Sequence, residues 1–116
     1  MNNPTFCQIE VKPGVVFHPA TWHYPEMWRI VFVVKMTAPP YYTPTITSAV
    51  EGRHLSTSFH YFGGALDWRI NDFPKSGLAR WIEQITKKLG SDYYVELGVN
   101  YIHIHWKLMK KQPVFP

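Results

Sequence analysis

The sequence predicts an α+β fold in which one or two helices pack on a small, mainly antiparallel sheet. Three observations predict this fold. Residues 76–89 repeat their apolar side chains at helical spacing. Short strand-like segments lie on both sides of this helix, at residues 44–49, 65–70, 93–97 and 101–106. The last two segments are separated only by the turn at Gly98 to Asn100, which is typical of a β-hairpin.

The composition is that of one packed domain spanning residues 1–116. Hydrophobic residues make up 46% of the chain and aromatic residues 16%, which excludes a disordered protein. The longest strongly apolar stretch, Trp28 to Met36, is far too short to cross a bilayer. No secretory signal pattern opens the chain, so we expect cytoplasmic synthesis. The single cysteine, Cys7, allows no internal disulfide and argues against a cysteine-based metal site.

The formal net charge of +4 suits an anionic partner, such as nucleic acid or the bacterial cell wall. The only tight basic group is Lys107 with Lys110 and Lys111. No helix-borne or aromatic-interleaved basic stripe accompanies it. We therefore expect a solvated tail there and no nucleic-acid partner.

The secondary structure of two segments in the first half of the chain is ambiguous from the sequence. Residues 5–12 suit either a short strand or an irregular entry segment. In residues 24–36, the β-branched run from Ile30 to Val34 is typical of a buried strand. The length of that segment and the flanking Pro25 and Pro39 suit a buried helix instead, which we favour.

The helix at residues 76–89 is the clearest element of the second half. Its apolar stripe consists of Leu78, Trp81, Ile82, Ile85 and Leu89. Lys87 and Lys88 suit the negative end of the helix dipole, and Gly90 supplies the stop signal.

The strand before this helix and the last strand each carry one apolar and one ionisable face, because successive side chains of a strand point to opposite sides. His103 and His105 share one face of the last strand. If the two strands lie side by side, Asp67 of the earlier strand converges with both histidines. The turn at Gly63 and Gly64 lets His60 fold back over Asp67.

These side chains are the ligand types of a catalytic zinc site. Such a site takes three protein ligands and leaves a fourth position for water. His60, Asp67 and one histidine of the His-x-His pair would fill the three positions, and the other histidine would be left for proton transfer. Surface histidines on solvated strand faces are the alternative interpretation. The combination of the pair with His60 and Asp67 favours a single zinc site.

The chain resembles the zinc peptidases of bacterial cell-wall peptides in the pattern Ser58-x-His60-x-x-Gly63-x-Ala65-x-Asp67, followed by His103-x-His105. That group cuts peptides that contain D-amino acids. It includes D-alanyl-D-alanine carboxypeptidases, the L-alanoyl-D-glutamate endopeptidases of phage lysins, and the related lysostaphin-type and hedgehog N-terminal folds. The resemblance covers residues 44–106 and is closest to short phage-encoded peptidase-like proteins. It implies that His60, Asp67 and His105 bind the zinc.

The resemblance also implies a zinc-dependent hydrolase that cleaves peptidoglycan stem peptides or cross-links. A phage-encoded, endolysin-like protein would reach the wall after release. Arg53 would hold the oxyanion or a substrate carboxylate, and His54 and Ser58 would line the substrate pocket. Many relatives carry a carboxylate shortly before the final histidine as general base, but that stretch holds no acid here. The base is therefore either Glu96 on the preceding strand or His103.

Two other classes of protein compete with this interpretation. A non-catalytic cell-wall or protein-binding module would keep the zinc for structure, as the hedgehog-type relatives suggest. A cupin-like site also uses a His-x-His pair. It needs a Glu and a further His well after that pair, and the sequence offers neither after His105.

Overall fold

The computed structural model describes residues 9–49 and 63–109. These residues form five strands and two helices, with a short 3-10 turn (Thr21–His23) before the first helix. The elements in chain order are β1 (Glu10–Val11), α1 (Pro25–Thr37), β2 (Thr45–Ser48), β3 (Ala65–Arg69), α2 (Lys75–Leu89), β4 (Tyr93–Leu97) and β5 (Tyr101–Trp106).

The strands form one sheet in the order β1-β2-β3-β5-β4. Three neighbouring pairs are antiparallel, as expected, but β1 pairs with β2 in parallel. The sheet is therefore mixed, and the α+β class is confirmed. The parallel edge is possible because the connection from β1 to β2 contains the whole of α1, whereas a hairpin turn can join only antiparallel strands.

The two helices pack against each other and cover the apolar face of the sheet. That face supplies the fully or nearly fully buried side chains Leu66, Trp68, Ile102, Ile104 and Trp106. The indole Nε1 of Trp81 on α2 donates a 2.9 Å hydrogen bond to the hydroxyl oxygen of Thr37 at the end of α1. The helix layer is thus joined by a directional contact as well as by packing.

Helix α1 confirms the favoured interpretation of residues 24–36. Met27, Ile30 and Val34 are fully buried at helical spacing, while Phe32 is 65% exposed. A strand would have placed Ile30, Phe32 and Val34 on one face. Pro25 occupies the first turn, where its missing N–H leaves no helical hydrogen bond unmade. Burial of one helical stripe outweighs the weak strand preference of the β-branched run.

The remaining predicted elements match the structure closely. Helix α2 starts one residue earlier than predicted, and strands β4 and β5 have the predicted bounds. In the open segment 5–12, the described part contains only the two-residue strand β1. Neither described helix is long and apolar enough to cross a membrane.

Candidate functional site

The candidate site lies on the sheet face that the helices leave uncovered. β3 and β5 pair so that Asp67 lies directly opposite His103, and β4 places Glu96 opposite His103 on its other side. Side chains of directly paired residues point to the same face, so these three residues form one row across the sheet. His105 occupies the next row. The predicted convergence of Asp67 with the two histidines is therefore confirmed.

A chain of hydrogen bonds joins Asp67, His103 and His105. His103 Nδ1 lies 3.0 Å from Asp67 Oδ1, and His103 Nε2 lies 2.8 Å from His105 Nδ1. An ionised carboxylate can only accept, so His103 donates through Nδ1. In a neutral imidazole the other nitrogen is an acceptor, so His103 Nε2 accepts the proton of His105 Nδ1. When His103 is neutral, Nε2 of His105 carries no proton and is the nitrogen through which His105 would bind a metal.

Burial makes this hydrogen-bond chain important for Asp67. The residue is only 8% exposed, and a charged carboxylate taken out of water must be compensated by donors or cations. A β-bulge in β2, between Ile46 and Ser48, brings Ser48 level with Asp67 from the other side. The carboxylate thus sits between a bulged strand and an imidazole donor.

Tyr94 on β4 supports the site in a way that the sequence analysis did not foresee. Its ring stacks on the imidazole of His105, with 5.0 Å between centroids and 28° between planes. Stacking restricts rotation of the imidazole while its Nδ1 is held by His103. Alternation along β4 places Tyr94 on the same face as Glu96 and was the available signal.

The donor chemistry of the site suits zinc. Asp67 offers carboxylate oxygen and His105 offers imidazole nitrogen, the two ligand types predicted here. His103 uses both ring nitrogens for hydrogen bonds, so it orients Asp67 and His105 and has no ring nitrogen left for a metal. Within residues 9–49 and 63–109, no three His, Cys, Asp or Glu side chains are arranged to hold a metal ion. The third predicted ligand, His60, lies outside the described residues, and zinc binding stays a prediction.

Of the other predicted site residues, the structure describes Glu96 alone. Arg53, His54 and Ser58 lie outside the described part of the chain, and their roles stay predictions. Glu96 is exposed beside His103, and its carboxylate makes no hydrogen bond or ion pair with any described residue. Its carboxylate can therefore approach a substrate without first leaving a described partner.

The turn that precedes β3 requires glycine at Gly63. This residue has a φ of +79°, in the left-handed region that favours glycine. A Cβ atom there would lie 2.7 Å from the Cβ of His18 and 2.8 Å from the hydroxyl oxygen of Thr21. The same hydroxyl donates a 2.9 Å hydrogen bond to the carbonyl of Gly63. The chain is thus fixed in place where it enters β3, two residues before Ala65.

A polar groove continues from Asp67 along the same face of the sheet. Its volume is about 370 Å³, and its lining includes Lys12, Thr47, Arg69 and Tyr101. Arg69 lies two residues after Asp67 on β3, so both side chains are on the same face of the sheet. The contribution of Lys12 depends on the parallel β1 edge, which no local pattern predicted.

No family model, curated protein or solved structure matches the chain. A function for it is therefore inferred from its own residues and from the motif that they form.

Proposed function

We propose that the protein is a zinc-dependent peptidase that cleaves peptidoglycan stem peptides or cross-links. The observation that carries the proposal is the chain of hydrogen bonds from Asp67 through His103 to His105. It brings a buried carboxylate and an oriented imidazole together on the sheet face that the two described helices leave uncovered. A surface pair of histidines with no function would not need a buried carboxylate to orient it. The Ser-x-His motif before β3 supplies the choice of reaction and substrate.

The metal would be held by Asp67, His105 and His60. A zinc ion there would supply the Lewis acidity that polarises a peptide carbonyl and activates water for attack. The protein's part is to keep the two ligands on β3 and β5 in fixed orientations. The hydrogen bonds of His103 and the ring of Tyr94 do this for His105.

We assign the proton transfer to Glu96. Both ring nitrogens of His103 are already within hydrogen-bond distance of neighbouring side chains. Glu96 lies next to His103 in the same row and is exposed on the face where a peptide would lie. Its carboxylate oxygen would take a proton from the attacking water and return it to the leaving amine. His103 is then a positioning residue, and Arg53 keeps its predicted role of holding the oxyanion or a substrate carboxylate.

Purified protein loaded with zinc, incubated with defined cell-wall peptides and analysed by mass spectrometry, tests the proposal. We expect two fragments whose summed mass exceeds that of the substrate by one water. His105→Ala should abolish cleavage. His23→Ala is the matched control, because it removes an exposed imidazole outside the site and should leave cleavage unchanged.

Failure to cleave peptides of any cross-link type, with zinc shown to be bound, would contradict the peptidase. A zinc-stabilised, non-catalytic binding module would then be the better description. Retention of intact cell-wall peptides by the zinc-loaded protein would identify their class as its ligand.

A further inference from the structure

We propose that the chain forms a symmetric dimer in which β4 pairs antiparallel with β4 of a second copy. The contact is made at the β4 edge, the side of Tyr93–Leu97 that faces away from β5. It joins the two sheets into one continuous sheet. The dimer concerns assembly, so it does not depend on whether the site binds zinc or cleaves peptides.

The hydrogen bonds at the two ends of the β4–β5 hairpin show which backbone groups of β4 point outward. The N–H of Gly98 donates to the carbonyl of Tyr101 at one end, and the N–H of Lys107 donates to the carbonyl of Asp92 at the other. In an antiparallel pair, residues bonded to the partner strand alternate with residues whose N–H and C=O point away from it. Even-numbered residues of β4 therefore bond to β5, and odd-numbered residues face the edge.

Val95 and Leu97 thus present their backbone N–H and C=O groups at the β4 edge. Within residues 9–49 and 63–109, these outward groups have no hydrogen-bond partner. The carbonyl of Tyr93 also faces outward, while its N–H donates to the carbonyl of Gly90. Such a row of donors and acceptors is a template on which another strand can form.

The two edges of the sheet differ in the features that discourage pairing with another chain. Short edge strands, lysine, proline and bulges are such features. The opposite edge, β1, is two residues long and is followed by Lys12 and Pro13. β4 has five residues, contains neither lysine nor proline, and pairs with β5 without a bulge. Its side chains Tyr94 and Leu97 are 42% and 51% exposed. The β4 edge is therefore the one that is open to pairing.

The side chains of β4 favour one register for the dimer. An alignment centred on Glu96 would place two carboxylates directly opposite each other, which is destabilising. An alignment centred on Val95 places Val95 opposite the partner's Val95 and Leu97 opposite the partner's Tyr93. On the uncovered face of the sheet, Tyr94 then lies opposite the partner's Glu96. A phenol hydroxyl can donate to a carboxylate, so this pair is favourable.

A second copy suits the β4 edge because the strand is complementary to itself in this register. Apolar side chains meet apolar side chains on the helix-covered side, and the single acid of the strand meets a hydroxyl donor on the other side. An unrelated extended peptide would share only the backbone hydrogen bonds. A two-fold contact of this kind closes after two copies, because each copy uses its own edge once. The partner's Tyr94 also lies beside Glu96, so each copy contributes a side chain next to the candidate site of the other.

Sedimentation equilibrium of the full chain at increasing concentration tests the dimer. We expect the mass to rise from 13.6 kDa to twice that value. Hydrogen exchange gives a second measurement that needs no substitution. The amides of Val95 and Leu97 should exchange more slowly as the dimer forms, while the amide of Glu96, which bonds to β5, should change little.

Two substitutions at one exposed position test the register. Tyr94→Glu places a carboxylate opposite the partner's Glu96 in both symmetry-related pairs, so it should weaken the dimer about ten- to a hundredfold. Tyr94→Lys removes the same ring but creates opposite charges, so it should keep the dimer. Tyr94→Glu combined with Glu96→Lys restores opposite charges in the alignment centred on Val95 and should restore the dimer.

The matched control is Phe32→Glu, which adds the same charge at a 65% exposed position on α1, outside the β4 edge. It should leave the dimer intact. A monomer at every concentration, or a dimer that survives Tyr94→Glu, would overturn the proposal. Loss of the dimer in Phe32→Glu would move the interface to α1 and overturn it as well. Failure of the double substitution to restore a dimer that Tyr94→Glu has weakened would overturn the register centred on Val95.

Discussion

The two faces of the sheet use the same strands for different purposes. On β5, Ile102 and Ile104 are fully buried under the helices, while His103 and His105 between and beyond them face outward. On β3, Leu66 and Trp68 enter the core, while Asp67 between them joins the site. Each strand thus supplies buried apolar side chains on one side and residues of the candidate site on the other. Because successive side chains of a strand point to opposite faces, residues on either face can be changed with little direct effect on the other face.

The largest effect on catalysis is expected from removing the proposed proton carrier, Glu96. Glu96→Gln should leave zinc content and melting temperature unchanged and lower kcat about 10²–10⁴-fold, the usual contribution of a positioned acid or base. Peptide hydrolysis at saturating zinc measures it. Glu83→Gln on the exposed side of α2 is the matched control and should leave kcat unchanged.

His103→Ala tests whether His103 positions the proposed zinc ligands or carries the proton itself. Because His103 bonds both Asp67 and His105, its loss should weaken zinc affinity about 10–100-fold, as for other residues that orient metal ligands. Activity should return substantially at saturating zinc. If Glu96→Gln is fully active and His103→Ala is inactive even when loaded with zinc, His103 carries the proton instead.

The opposite face should respond in the opposite way. Ile104→Ala removes a fully buried side chain between the sheet and the helices and should cost about 2–5 kcal/mol of unfolding free energy. Urea denaturation measures this loss. The folded fraction of the variant should still cleave peptides at the normal rate per molecule. A large fall in kcat with little loss of stability would show that the two faces are not independent.

Zinc removal tests how strongly the open face contributes to stability. A ligand that binds only the native state stabilises it by mass action, about 2.7 kcal/mol when free zinc is a hundredfold above its Kd. Chelation should therefore lower the melting temperature of the unmodified protein. The melt of His105→Ala should not respond to the chelator. An unchanged melt of the unmodified protein after proven metal removal would mean that zinc does not stabilise the fold.

The smallest expected effect concerns the helix-covered side at alkaline pH. Burial raises the pKa of Tyr93 from 10.0 to about 12, and its hydroxyl donates a 2.8 Å hydrogen bond to the carbonyl of Glu26. The neutral phenol is favoured in the folded state, so its contribution is complete below pH 10 and is lost as pH rises towards 12. Tyr93→Phe should show a shallower loss of stability across that interval in denaturation experiments. An identical slope in both proteins would contradict this role.

Local sequence patterns predicted most of the fold. The apolar stripe of α2 and the alternation on β5 each reflect contacts within one element, and such contacts leave a period in the sequence. The antiparallel pairing of β3 with β5 was expected only as a condition for Asp67 to meet the histidines. The structure supplied the register that puts Asp67 opposite His103.

Features that depend on several distant segments were not predictable in this way. The stacking of Tyr94 on His105 depends on the register between β4 and β5. The groove needs Lys12 from the parallel edge and Arg69 from the centre of the sheet. Neither leaves a period in the sequence, because the partners are set by tertiary pairing. His60 and Arg53 lie outside the described residues, so their predicted roles stay predictions.

Zinc content is the most direct test of the central claim that the open face is a metal site. Elemental analysis of the purified, zinc-equilibrated protein should find one zinc per chain. His60→Ala and His105→Ala should each lose it, and His23→Ala should retain it. Full zinc retention in both His60→Ala and His105→Ala would contradict the site.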